Sequence, residues 1–244
     1  MSMAHSGFRR DPSATNTEAV EDYAKAIYTL SRRDAGSVAT SALAERLGVS
    51  PGSVTAMLKR LADLGLATHE RYHGVTLTEA GERVALEVIR HHRLIEAYLA
   101  DALGMPWDRV HDEAEVLEHY ISEELEQRIA AALGDPSHDP HGDPIPTSEL
   151  ALDRDGAVAL AELEPGEAAT FTRVSDSEPA MLRYLDKLGI RPGARIEVRS
   201  REPFEGPLTV TCSGAEHVIG GELPRRMRVT RAPARASARP MRTG

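Results

Sequence analysis

The chain has 244 residues, with 29 lysines and arginines against 38 aspartates and glutamates, a formal net charge of -9 and one cysteine, Cys212. That length allows one large domain or two to three small ones, and a lone cysteine excludes an intramolecular disulfide and a thiolate-based zinc knuckle. No apolar run approaches the roughly 18 residues of a membrane helix, and the opening MSMAHSGFRRDPSATN lacks the apolar stretch of a signal peptide; the expectation is a cytoplasmic protein with no membrane partner.

Apolar positions Val20, Tyr23, Ala24, Ile27, Tyr28 and Leu30 recur at helical period and predict a first helix from about Glu18 to Arg33. A short helix, Thr40 to Leu47, ends at Gly48. Ser50 is then an N-cap, Pro51 suits the first helical position, and Val54, Leu58, Leu61 and Leu64 supply a buried stripe up to Gly65. Leu66 to Thr78 alternates as a hairpin turning at His73-Gly74. Helix, tight glycine turn, helix and hairpin make a winged helix-turn-helix, expected over residues 16–78.

Thr78 caps a long helix through about Leu103, broken at Gly104-Met105-Pro106, and a second long helix is expected from Trp107 to Leu133. Their apolar stripes exceed what a small DNA-binding module needs, so residues 79–150 read as a helical dimerisation unit, and the protein as a homodimer. Charge sets this segment apart: residues 91–150 carry 3 basic and 14 acidic side chains and six of the ten histidines, whereas residues 1–90 balance 11 against 11. The stretch DPSHDPHGDPIPTSE reads as an ordered loop, in which turn hydrogen bonds account for His138, Asp139, His141 and Asp143.

Beyond it, short β-like runs are split by Gly and Pro: Ala168–Val174, Arg195–Ser200, Leu208–Cys212, His217–Ile219 and Met227–Val229, with a helical turn at Pro179–Leu188. This pattern predicts a small SH3-like β-barrel over residues 155–231, followed by an Arg-, Ala- and Pro-rich tail, 232–244, of disordered composition. Cys212 sits in a strand pattern as a small core residue, and Trp107 and Met105 as packing at a helix junction. The fold class is mainly α with a small β domain.

The sharpest chemical constellation is HDEAEVLEH, residues 111–119. On a helix, Glu115, Glu118 and His119 share one face, with His111 a turn earlier, and His92 and Glu96 form an i, i+4 pair on the preceding helix. Oxygen donors with one or two imidazoles suit Mn(II) or Fe(II) better than zinc's thiolate-rich structural sites. A solvated acidic face is the alternative, and the clustering of His with Asp and Glu on both helices favours metal. By spacing alone, Asp22 is an ordinary carboxylate in the first turns of a helix.

The segments EAVEDYAKAIYTL, ALAERLGVSPGSVTAMLKRLADLGL, YHGVTLTEAG, RHHRLIEAYL, WDRVHDEAEVLEH and DPHGDPIP resemble, in order and spacing, the diphtheria toxin repressor family of metal-dependent regulators. The stretch SDSEPAMLRYLDKLGIRPGARIEV resembles that family's C-terminal SH3-like (FeoA-like) domain, so the likeness covers roughly residues 16–230. It implies a DNA-binding transcriptional repressor, not an enzyme, acting as a metal-loaded dimer. Carried over by position, it implies a primary metal site of Asp22, Glu115, Glu118 and His119. An ancillary site would use His92, Glu96 and His111, with further ligands near Ser175 and Asp176, making two sites per subunit. In the iron-sensing branch the positions of Asp22 and Glu115 resemble Met and Cys; carboxylates there match the manganese transport regulators and form a harder set, so Mn(II) is the expected corepressor and Fe(II) the alternative. Small two-domain manganese regulators carry a glutamate where this chain has Lys25, so a paired manganese cluster is not implied.

In a winged helix-turn-helix the second helix enters the major groove and the wing approaches the backbone. That nominates Ser50, Pro51, Ser53, Thr55, Lys59 and Arg60, with Thr40 and Ser41 at the preceding helix start and Arg71 in the wing. The expected partner is a palindromic operator in double-stranded DNA. A winged-helix regulator sensing a small organic ligand is the more distant alternative, and its DNA binding would be insensitive to chelators.

Overall fold

Helix α1 spans Pro12–Asp34, starting earlier than its apolar stripe predicts, and is followed by α2 (Thr40–Leu47) and α3 (Pro51–Asp63). The computed structural model describes residues 12–34, 36–70, 74–152, 156–175 and 178–232. They fall into two compact units: residues 1–95, 114–137 and 145–152 in one, and 96–113, 138–144 and 153–244 in the other.

In the first unit, Gly48 ends α2 in the left-handed region (φ 64°), where its N–H meets the carbonyls of Ala44 and Glu45. Two residues on, Ser50 caps α3 by accepting from the Ser53 amide at 3.1 Å, with Pro51 at the start of the helix. Val54, Leu58 and Leu61 are fully buried against Ile27 and Leu43, each such side chain contributing roughly 1.5–3 kcal/mol. The hairpin β1 (Ala67–Glu70) and β2 (Gly74–Leu77) pairs antiparallel, Ala67 opposite Leu77 and Glu70 opposite Gly74. Gly74 has φ 86°, and a Cβ there would lie 2.6 Å from the Val38 carbonyl oxygen, because Val38 pairs with Val75 beside it. His73 of the expected turn lies outside the described residues.

Helix α4 (Glu79–Asp101) begins after Thr78, whose hydroxyl accepts from the Gly81 amide at 3.2 Å. The single helix expected from Trp107 to Leu133 is two: α5 (Val110–Leu117) and α6 (Glu123–Ala132). The break falls at Ser122, whose backbone is extended (φ -86°, ψ 156°) and whose side chain accepts from the Leu125 amide, opening a new helix with Glu123, Glu124 and Glu126 in its first turn.

The second unit holds β3 (Val158–Ala159), β4 (Ala168–Val174), α7 (Pro179–Lys187), β5 (Arg195–Arg201), β6 (Leu208–Cys212), β7 (Ala215–Ile219), α8 (Leu223–Arg226) and β8 (Met227–Arg231). Its antiparallel sheet runs β3-β8-β4-β5-β6-β7, so β3 and β7 are its edges among the described residues. Register shifts between Phe171 and Arg173 and between Val198 and Ser200 bend the strands, as bulges do. Strand alternation turns Phe171, Ile196, Val198, Val210, Cys212 and Val229 into one apolar core with Leu182 and Leu185 of α7. Trp107, expected at a helix junction, is buried in this same core, with the Arg191 guanidinium 4.0 Å from its ring centroid.

Candidate metal centre and DNA-facing helix

In the first unit, α1 and the end of α5 bring together Asp22, Glu118 and His119, with one potential ligand atom of each within 4.8 Å of the others. His119 Nε2 lies 3.1 Å from Asp22 Oδ1 and 3.6 Å from Glu118 Oε1. Its other nitrogen, Nδ1, is 2.6 Å from Glu21 Oε2. Burial alone would lower the pKa of this imidazole. Hydrogen bonds to Asp22 and Glu21 and the charge of Glu118 outweigh it and push the group up to about 10. Glu21 was not anticipated from the sequence; its only signal is that it precedes Asp22 on the same helix.

Glu115 and Glu118 meet at one cation. Lys25 Nζ lies 2.7 Å from Glu115 Oε1 and 2.7 Å and 2.9 Å from the two oxygens of the fully buried Glu118 side chain. His92 Nδ1 sits 2.5 Å from Glu118 Oε2 and 3.8 Å from Glu115 Oε1. Burial works against the ammonium, but Glu118 and Glu115 together raise its pKa above the ordinary lysine value. Of the four expected primary ligands, Asp22, Glu118 and His119 thus approach one another directly, and Lys25, one turn beyond Asp22, holds both Glu115 and Glu118.

In the second unit, Glu96, Asp139 and His141 are all buried, with ligand atoms mutually within 4.8 Å. His141 Nε2 donates to the Trp107 carbonyl at 2.7 Å, so Nδ1 is the nitrogen that faces Glu96 Oε2, 3.7 Å away. Nδ1 has no hydrogen-bond partner among the described residues. Burial lowers the pKa of His141, yet Glu96 and Asp139 raise it to about 9. The expected turn bonds are present too: Asp139 Oδ1 accepts from the amides of His141 (2.8 Å) and Asp143 (3.0 Å). The loop lies so close to β4 that a Cβ on Gly142 (φ 88°) would stand 1.8 Å from the Thr172 carbonyl oxygen.

Of the expected ancillary set, Glu96 and His111 meet at 3.3 Å, and His92 Nδ1 lies 2.5 Å from Glu118 Oε2. Ser175 is half-buried just after β4, and Asp176 lies outside the described residues. Nothing in the linear pattern of this loop shows that Asp139 and His141 lie beside Glu96.

On α3 the buried stripe turns Pro51, Ser53, Thr55 and Lys59 outward, all exposed, with Arg60 half-buried. Ser50 is exposed as the cap, and the Thr55 hydroxyl donates to the Pro51 carbonyl at 2.9 Å. Thr40, half-buried, and exposed Ser41 open α2; Arg71 lies outside the described residues.

Three domain families match in succession: residues 16–75 match "Iron dependent repressor, N-terminal DNA binding domain", residues 78–147 "Iron dependent repressor, metal binding and dimerisation domain", and residues 158–231 the FeoA domain. The iron-dependent repressor IdeR of Mycobacterium tuberculosis is 31% identical over 213 residues, covering 82% of this chain and 91% of that one. The diphtheria toxin repressor of Corynebacterium diphtheriae is 29% identical over 223 residues, covering 87% and 96%. Among solved structures, a manganese-dependent transcriptional repressor in complex with manganese superposes with a TM-score of 0.81 at 40% identity, covering 87% of this chain and all of that one. The manganese regulator SloR superposes at 0.70 with 28% identity, covering 87% and 98%. Among the described residues no helix is long and apolar enough to cross a membrane. The chain belongs to the iron-dependent (diphtheria toxin) repressor family, and is a metal-dependent, DNA-binding transcriptional repressor with a C-terminal FeoA domain.

Proposed function

We propose that this repressor is activated by Mn(II), binds a palindromic operator as a homodimer and controls metal-ion homeostasis. The observation that carries this reading is the approach of Asp22, on the first helix of the DNA-binding domain, to Glu118 and His119 at the end of α5. The donors are carboxylate oxygens and imidazole nitrogens alone, and Cys212 is buried in a strand of the other unit. Such a set fits a hard to borderline divalent ion.

Asp22, Glu118 and His119 would hold the primary ion, with Glu115 as fourth ligand on release from Lys25. Glu96, Asp139 and His141 would hold a second, with His111 beside Glu96. When bound, a divalent ion supplies charge and a demand for fixed ligand positions. Glu21 accepts from His119 Nδ1 and so aims Nε2 at the ligand cluster, the service Trp107 performs for His141 through its carbonyl. Each imidazole must give up a proton to act as a ligand. The ligands lie on two elements, so filling the site favours the arrangement in which α1 is held to the end of α5.

Holding α1 fixes α3, which shares its core. In a dimer this sets the separation of two recognition helices, which must match about one DNA turn or a multiple of it, roughly 34 Å, to read a palindrome. Lys59 and Arg60 would meet phosphates. The acidic residues 91–150 oppose that approach electrostatically, and bound cations reduce the opposition.

A second reading, activation by Fe(II), is favoured by the likeness to IdeR, an iron-dependent repressor. Anaerobic titration of the chelator-stripped protein with Mn(II) and Fe(II), reading binding to its own promoter at fixed salt, separates the two. Response at clearly lower free Mn(II) supports the manganese reading, equal or better response to Fe(II) the second, and no metal response points to an organic ligand.

A further inference from the structure

Away from these sites, α4 and α6 bring Glu87, His91 and Glu123 together, with one potential ligand atom of each within 4.8 Å of the others. Glu87 and His91 are one turn apart on α4, and Glu123 is the first residue of α6, set there by the Ser122 cap. The imidazole is only 7% exposed, while both carboxylates reach solvent.

The two nitrogens of His91 have different surroundings. Nδ1 lies 3.2 Å from the Glu118 carbonyl oxygen, an acceptor, so Nδ1 carries the hydrogen. Nε2, which bears the lone pair in the neutral form of that tautomer, has no hydrogen-bond partner among the described residues. It faces oxygens instead, Glu126 Oε2 at 3.4 Å and Glu123 Oε1 at 3.8 Å. A buried lone pair opposite carboxylate oxygens is repulsive unless a proton or a metal cation stands between them.

The neighbouring charges sharpen this. Arg90 is committed to Glu126, Nε to Oε1 at 2.5 Å, and its Nη1 donates to the Pro146 carbonyl at 2.6 Å. Glu126 thus has its own cation. The Glu87 carboxyl is raised by burial and then by the neighbouring Glu123, the signature of acidic groups crowded together.

We propose that Glu87, His91 and Glu123 form a separate seat for a divalent first-row metal ion, with His91 Nε2 and one oxygen from each glutamate as ligands. Two carboxylates and an imidazole suit Mn(II) or Zn(II), and the exposed side leaves room for water to complete the shell. The Glu118 carbonyl keeps His91 in the ligating tautomer, so this seat leans on the backbone of a residue whose carboxylate belongs to the Asp22 cluster.

The test is the number of ions bound per subunit by the chelator-stripped, full-length protein, titrated with Mn(II) and in parallel with Zn(II), by equilibrium dialysis and elemental analysis. Glu87→Gln/Glu123→Gln alters exposed positions and should bind one ion fewer than the native chain with at least one metal. Asp22→Ala should lose a different ion, so the two losses add in the combined variant. His91→Asn, which keeps a donor toward the Glu118 carbonyl but removes the nitrogen ligand, should lose the same ion as the glutamine pair. Equal counts for the native chain and the glutamine pair in both titrations would mean that His91 is an imidazolium between glutamates, and would overturn the proposal. A full count in folded His91→Asn would overturn it as well. Failure of the Asp22→Ala variant to lose an ion bears on the primary site alone.

Discussion

The Lys25 ammonium is held 2.7 Å and 2.9 Å from the two oxygens of Glu118, a carboxylate with no exposed side-chain surface. Lys25 lies on α1 and Glu118 directly follows α5, so this ion pair joins the DNA-binding domain to the metal-binding domain. A buried pair contributes little against a well-packed apolar substitute, but removal of one partner strands the other charge.

Lys25→Met should therefore destabilise the metal-free chain by about 3–5 kcal/mol. Saturating Mn(II) should restore part of the loss, since a cation among Asp22, Glu118 and His119 again neutralises Glu118. Urea unfolding with and without Mn(II) reads both quantities. A loss below about 1 kcal/mol, the range of a surface pair, would show that Glu118 does not depend on Lys25.

His119 and His141 are raised from 6.5 to about 10 and about 9, so the folded state binds protons that the unfolded chain releases near pH 6.5. Their contribution to stability is complete below that value and is lost as pH rises through the folded pKa values. Thermal stability of the stripped protein should fall between about pH 7 and 10 through this term. Metal ions compete for the same nitrogens, so Mn(II) affinity should rise over that window, with protons released on binding. Calorimetry in buffers of differing ionisation enthalpy counts those protons. Mn(II) affinity independent of pH would contradict ligation by either imidazole.

On α3, Ser50→Ala removes the hydroxyl that accepts from the Ser53 amide and should cost about 1 kcal/mol of stability. Lys59→Ala touches an exposed position and should leave stability unchanged. It should weaken binding across DNA sequences and reduce the salt dependence by the equivalent of about one phosphate contact. Fluorescence anisotropy over a salt series measures this, and an unaltered slope would remove Lys59 from the DNA interface.

Local chemistry made much of this architecture legible in the sequence. Ser50, Pro51 and the Val54, Leu58, Leu61 stripe announce α3, and short β-like runs set off by Gly and Pro mark β4 and β6 at the bounds observed. The break between α5 and α6 was missed because Ser122 sits inside a run whose apolar period continues across it, and a cap competes there with propagation. The site was only partly legible. Glu115, Glu118 and His119 share a face by spacing, but a lysine at position 25 carries no mark that it reaches across to them. Asp139 and His141 meet Glu96 from a loop distant in the chain, a tertiary fact with no linear period.

The most direct test of the metal-clamp account compares the native chain with Asp22→Ala, both metal-stripped, in binding promoter DNA as Mn(II) is added at fixed salt. Asp22 is half-exposed on α1, so the variant should keep native helicity and unfolding behaviour. The account predicts strong Mn(II) stimulation of the native chain and none of Asp22→Ala. Undiminished stimulation of the folded variant would show that the approach of Asp22 to His119 is not what couples metal to DNA.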